Sequence, residues 1–146
     1  MKSVPRGCGA LFIVLVLFAS SFAADPRTEL KPANEAAKQW LWFEDEGRYG
    51  EAWDNAATFL QQKISKSAWE KTMTSTRAPF GRMLSRDFKS ADYTTKPTGA
   101  PAGNYFVIEY RTNFALAPKV IETVAVMLEK NGQWHVAGYY LRPADN

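Results

Sequence analysis

Two charged residues stand where the sequence pattern asks for apolar ones. Arg86 lies between Leu84 and Phe88 in an alternating run, and Glu122 shares its alternating set with Val124, Val126 and Tyr139. An ionised carboxylate in apolar company must find a partner or shift its pKa upward, and a guanidinium meets the same desolvation cost. The two are therefore expected to meet, directly or through the hydroxyls of Tyr139 or Tyr110. Such a cluster supports two chemistries. It is either the polar floor of a pocket, where an arginine fork grips a carboxylate ligand, or a structural ion pair closing the fold.

Arg77 belongs with these candidates, because Arg77, Arg82 and Arg86 crowd one ten-residue stretch around Pro79 and Gly81. Three arginines beside a helix end suit an anion. The competing account is capping and solvated surface charge, since the dipole at a helix C-terminus favours cations without a ligand. His135 is the only histidine in the chain, so a multi-histidine metal site is excluded. Its catalytic reading is a general base oriented by Glu122, and its alternative is a packed or hydrogen-bonded strand residue. Glu44-Asp45-Glu46 lack the loop spacing of a calcium site. Their place at a helix C-terminus points to pairing with Arg48 or another neighbour. No complete catalytic set, phosphate-cradling glycine motif or nucleophile elbow is present, so no catalytic residue, metal or cofactor is assigned.

The elements that must position these residues follow a leader. Lys2 and Arg6, the apolar run Ala10 to Phe18, and Ser21-Phe22-Ala23 form the three regions of a signal peptide over 1–23. The apolar run is too short for the ~20 residues of a spanning helix. Cleavage near Ala23 gives a periplasmic or secreted protein. Loss of Lys2 and Arg6 takes the formal charge from +3 to +1, which leaves no field to favour nucleic acid or an anionic membrane. The only cysteine, Cys8, departs too, so the mature chain has no thiol chemistry and no disulfide.

Residues 24–32 read as a tether, 33–143 as one domain and 144–146 as a tail. Ala33, Ala36, Ala37, Trp40 and Leu41 recur at helical spacing, and Tyr49, Trp53, Ala56, Leu60 and Ile64 make a second helix. Ser67 with Glu70 reads as a capping box opening a third, which ends before Pro79. From Leu84 the period becomes two. Strands are expected to about Thr95, from Tyr105 to Phe114, from Val120 to Glu129 and from Gln133 to Leu141, with Asn131-Gly132 a two-residue type I′ turn. That turn sets Leu128 opposite His135, Val124 opposite Tyr139 and Glu122 opposite Leu141. Three helices on a four-stranded antiparallel meander make an α+β fold, with the helices on one face of the sheet.

The ordered set Trp69, Arg77-x-Pro79-x-Gly81 with Arg86, Pro101-x-Gly103-x-Tyr105, Tyr110-x-Thr112-x-Phe114, Glu122 and Gly132-x-Trp134 with Gly138-Tyr139 resembles a family of bacterial exported proteins, domain of unknown function 4019. The resemblance covers most of the mature chain. It implies a cone-like domain of the nuclear transport factor 2-like kind, with a curved sheet around the helices, and brings no activity with it. The expected function is a non-enzymatic ligand- or protein-binding module using the open end of the cone, with Arg86, Glu122, Tyr139, Tyr110 and Arg77 as candidate ligand-binding residues. The partner is a small molecule or protein of unknown identity. Two alternatives are a proton-transfer enzyme in that pocket, with Glu122 or His135 as base, and an assembly module, such as a homodimer, pairing through Glu109 and Arg111 on the outer sheet face.

Overall fold

The computed structural model describes residues 24–144; the leader expected over 1–23, with Cys8, lies outside them. A 3-10 turn at Pro26–Thr28 leads into α1 (Leu30–Asp45), α2 (Tyr49–Asp54), α3 (Thr58–Lys63) and α4 (Lys66–Arg77). A second 3-10 turn, Ala78–Phe80, opens onto β1 (Met83–Thr94), β2 (Tyr105–Phe114), β3 (Val120–Leu128) and β4 (Trp134–Pro143). The strands pair antiparallel in the order β1-β2-β3-β4. Helices first and a meander after them is the expected α+β fold.

The helical half departs from expectation in three places. The second helix is broken in two, because residues 55–57 leave helical geometry and are drawn to the sheet edge. Ala56 bridges Val136 in parallel, and the Ala57 N–H donates to the Val136 carbonyl at 2.8 Å. That link covers part of β4, an edge strand with otherwise unpaired backbone groups. α1 begins at Leu30 rather than Ala33, so Lys31 and Pro32 belong to its first turn, where proline lacks only an N–H the helix leaves unpaired. The cap of α4 is Ser65, whose hydroxyl accepts from the Ala68 N–H at 3.3 Å; the Ser67–Glu70 box does not form.

α1 supplies the main inward stripe. Ala33, Ala37, Trp40, Leu41 and Glu44 fall on one face at helical spacing and are buried. The four apolar members join Phe106, Ile108 and Tyr110 of β2, Val124 and Val126 of β3, and Val136 and Tyr139 of β4 in a single core. The tryptophans give this core direction as well as area, since each buried indole N–H needs an acceptor. Trp40 donates to the Ala52 carbonyl at 2.8 Å, tying α1 to α2. Trp53 donates to the Ile64 carbonyl and Trp134 to Glu29, both at 2.9 Å.

The β3–β4 hairpin is also corrected. Its loop has three residues, Lys130 to Gly132, with Glu129 paired to Gln133 and only Gly132 left-handed, at φ +80°. A type I′ turn needs two left-handed residues. Here Asn131 instead accepts from the Gln133 N–H through its side chain at 3.0 Å. Leu128 therefore faces Trp134, and Met127 faces His135, one residue from the expected register. A bulge between Ala125 and Val126 absorbs the difference, so Val124 still faces Tyr139 and Glu122 still faces Leu141.

Candidate functional site

Six elements converge on one buried charge cluster. α1 contributes Asp45 at its last residue, and α4 contributes Arg77 at its last residue. Pro79 and the left-handed Gly81 (φ +72°) turn the chain directly after Arg77, so β1 returns beneath the helix ends and brings Arg86. A bulge between Met83 and Ser85 sets Arg86 opposite Thr112 of β2. Glu122 of β3 and Tyr139 of β4 complete the inward row.

Glu122 is fully buried and takes four donors. Arg86 Nε lies 2.5 Å from Oε2 and the Thr112 hydroxyl 2.6 Å from the same oxygen. The Tyr139 hydroxyl donates to Oε1 at 2.5 Å, and Arg77 Nη1 reaches that oxygen at 3.4 Å. Arg86 also forks onto Asp45, with Nη1 and Nη2 at 2.7 and 2.9 Å, while Arg77 Nη2 reaches Asp45 Oδ1 at 2.7 Å. Arg77 Nη1 donates to the Tyr139 oxygen at 2.7 Å, and its guanidinium stands 5.3 Å from the Phe114 ring. The formal charges cancel, two arginines against Asp45 and Glu122.

The electrostatics follow from burial and pairing. Burial works against the charged form of Arg86, but the hydrogen bonds it donates to Asp45 and the charge of Glu122 outweigh it and hold the guanidinium above its ordinary range. Arg77 is raised for the same balance of reasons, with burial opposed by Tyr139, Glu122 and Asp45. Burial, then the neighbouring Glu122 charge, pushes the Tyr139 phenol well up. Glu44 is different. It lies one residue before Asp45, is buried, and accepts only from the Trp69 indole at 3.3 Å, leaving Oε2 without a protein partner. Burial pushes its pKa up to about 8, against the opposing pull of Arg77.

Arg86, Glu122, Tyr139 and Arg77 thus come together, whereas Tyr110 stands apart: its hydroxyl donates to Asn34 of α1 at 2.5 Å. Arg77 is not a solvated surface charge, and Arg82, exposed, takes no part in the cluster. Of the two partners expected for the acids closing α1, Arg48 or another neighbour, Asp45 takes the second, Arg77 and Arg86, while Arg48 pairs with Glu51 and stands over the Trp42 ring at 4.8 Å. His135 is not oriented by Glu122; its Nδ1 meets Glu129. On the outer sheet face Glu109 is engaged by Lys89 and by Arg142. Among the described residues, no three metal-ligating side chains gather in one place, and no helix is long and apolar enough to cross a membrane.

Two members of the cluster escaped the sequence reading. Thr112 alternates with Tyr110 and Phe114, a polar side chain in an apolar row, which is a legible signal. Asp45 carried a weaker one, an acid at the negative end of a helix.

The hollows of the surface lie elsewhere. One of about 250 Å³ opens between α1 and β4, lined by Gln39, Phe43, Asn55, Gln133, Trp134 and His135 among others. A second, of about 240 Å³, lies under residues 97–100 against the outer sheet face, beside Phe59 and Tyr140. Neither draws on Arg77, Arg86, Glu122, Tyr110 or Tyr139.

Comparison with known proteins returns one family. The model described as "Protein of unknown function (DUF4019)" matches residues 36–139, well over half of the chain. A structure at 2.5 Å from Catenulispora acidiphila is similar at 10% identity with a TM-score of 0.46, over 76% of this chain and 88% of that one. No curated protein matches.

Proposed function

The chain belongs to the DUF4019 family of proteins of unknown function, and from that premise we propose that it is an exported, non-enzymatic binding domain. Its Arg–carboxylate cluster rivets the helices to the sheet, and its ligand enters beside that cluster rather than in it. One observation carries this reading. The two arginines spend their donors on Asp45, Glu122 and Tyr139, and Glu122 accepts from four groups within the fold. A guanidinium pair already neutralised in this way has little to gain from a carboxylate ligand. A Glu122 whose oxygens are all engaged is a poor general base, because the proton it would take must displace a bound arginine. The hollow between α1 and β4 supports the positive half of the reading. It combines aromatic walls with amide and imidazole groups, the mixture that small-molecule sites use. The cone-like shape and the export route implied by residues 1–23 belong to the same proposal.

Native mass spectrometry of the protein purified from its own host tests both parts. The expected spectrum shows a mature chain beginning at Ala24 and carrying a small non-covalent adduct. A chain retaining Met1 removes the export reading, and a chain that is always bare removes the ligand reading.

A further inference from the structure

Glu129 has a double engagement that fixes the state of the histidine beside it. Its Oε1 accepts the Thr58 N–H at 2.9 Å, the first residue of α3, which has no capping side chain of its own. Its Oε2 meets His135 Nδ1. Burial works against this carboxylate, but the bonds from His135 and Thr58 outweigh it and hold Glu129 below the usual range for glutamate. It is therefore an acceptor only at neutral pH, and the imidazole must present Nδ1–H to it. In a neutral ring this leaves Nε2 as a bare acceptor.

The Glu129–His135 pair lies between two hollows. Glu129 lines a further hollow beside α3, shared with Thr58, Phe59, Gln62 and Met127, whereas His135 lines the one between α1 and β4. No other described residue bonds the ring. Apart from the imidazole, the lining of the second hollow holds no ionisable side chain; Phe43 and Trp134 supply aromatic surface and Gln39, Asn55 and Gln133 supply amides. A charged ligand would find no carboxylate, lysine or arginine in that lining and would lose its hydration. A flat neutral ring finds stacking partners, and a donor on its rim finds Nε2.

We propose that this hollow is a site for an uncharged aromatic molecule bearing one O–H donor, of the phenol class, with His135 Nε2 as acceptor and Glu129 as the positioning residue that fixes the tautomer. The proposal rests on the binding reading above and narrows it to a ligand class. Because His135 is the only histidine, its ring nitrogens are unambiguous in long-range ¹H–¹⁵N correlation spectra. The probes are phenol and its methyl ether, anisole, which has the same ring and no donor.

The expected results are an Nδ1–H tautomer in the free protein and saturable phenol binding that shifts Nε2 and the Trp134 indole. Anisole binds at least tenfold more weakly. His135→Phe, which keeps a flat ring and loses the acceptor, brings the two probes within about threefold of each other. A dominant Nε2–H tautomer at neutral pH overturns the proposal. Equal binding of phenol and anisole by the wild type overturns it as well, while leaving the hollow as a binding site. Saturation by neither probe removes the proposal and the binding reading at this hollow together.

Discussion

Replacing Glu44 with Gln should make the protein more stable at alkaline pH and remove part of its pH dependence. The side chain is buried, its only protein donor is the Trp69 indole, and its pKa is raised from 4.5 to about 8 chiefly by burial. Between those values the folded chain keeps a proton that the unfolded chain has released. Stability must therefore fall as pH rises across that window, by roughly 1.4 kcal/mol for each pH unit. It is flat below the unfolded value and flat again above the folded one. The full interval is worth about 5 kcal/mol as an upper limit, of which a span from pH 5.5 to 7.5 samples roughly 3 kcal/mol. Glutamine keeps an oxygen for the Trp69 N–H and replaces the ionisable atom with a group that cannot titrate. The groups facing Glu44 from other elements, Arg77, Glu122 and Tyr49, and its neighbour Asp45, are unchanged in the variant. The difference between the two proteins therefore isolates Glu44. Urea denaturation followed by tryptophan fluorescence at several pH values reads it directly. The stability of E44Q relative to wild type should climb with pH. A difference that stays constant between pH 5 and 8.5 would refute the reasoning and show that Glu44 ionises in the fold at its ordinary value.

Further outcomes concern single contacts. Glu122→Gln leaves Arg86 and Arg77 short of a buried counter-charge and should cost about 3–5 kcal/mol in denaturant unfolding. Ser65→Ala should cost about 1 kcal/mol through loss of the α4 cap, with Ser67→Ala close to neutral; equal effects would return the helix start to Ser67. Gly132→Ala should destabilise by about 1 kcal/mol through its left-handed backbone alone, since nothing lies within 4 Å of an added Cβ, and a thermal melt checks this.

The reach of the sequence can be traced residue by residue. Arg86 and Glu122 were legible because a charge in an apolar alternation is a local anomaly, and sheet topology leaves such residues few places to go. Arg77 was visible as a candidate, but its burial was not. Whether a helix-terminal arginine caps its own helix or turns inward depends on how β1 returns beneath it. Asp45 escaped for a related reason, because its partners are 32 and 41 residues away. The second helix read as continuous since its apolar spacing is continuous; what breaks it is the backbone of Val136, a tertiary partner without trace in the local pattern. The Asn131-Gly132 pair fits either a two-residue or a three-residue turn. The choice moves His135 from opposite Leu128 to opposite Met127, while Glu122 faces Leu141 in either register. The bulge that repaired the register further along also explains why the expected facing of Val124 with Tyr139 survived.

The most direct test of a closed charge cluster is the Arg Nε–H resonances of Arg77 and Arg86 during titration with benzoate. Both arginines, buried against Asp45, Glu122 and Tyr139, should show no saturable shift up to tens of millimolar. A saturable shift at either one would mean that the cluster opens to a carboxylate, and the buried pairs would then be a binding site instead of a rivet.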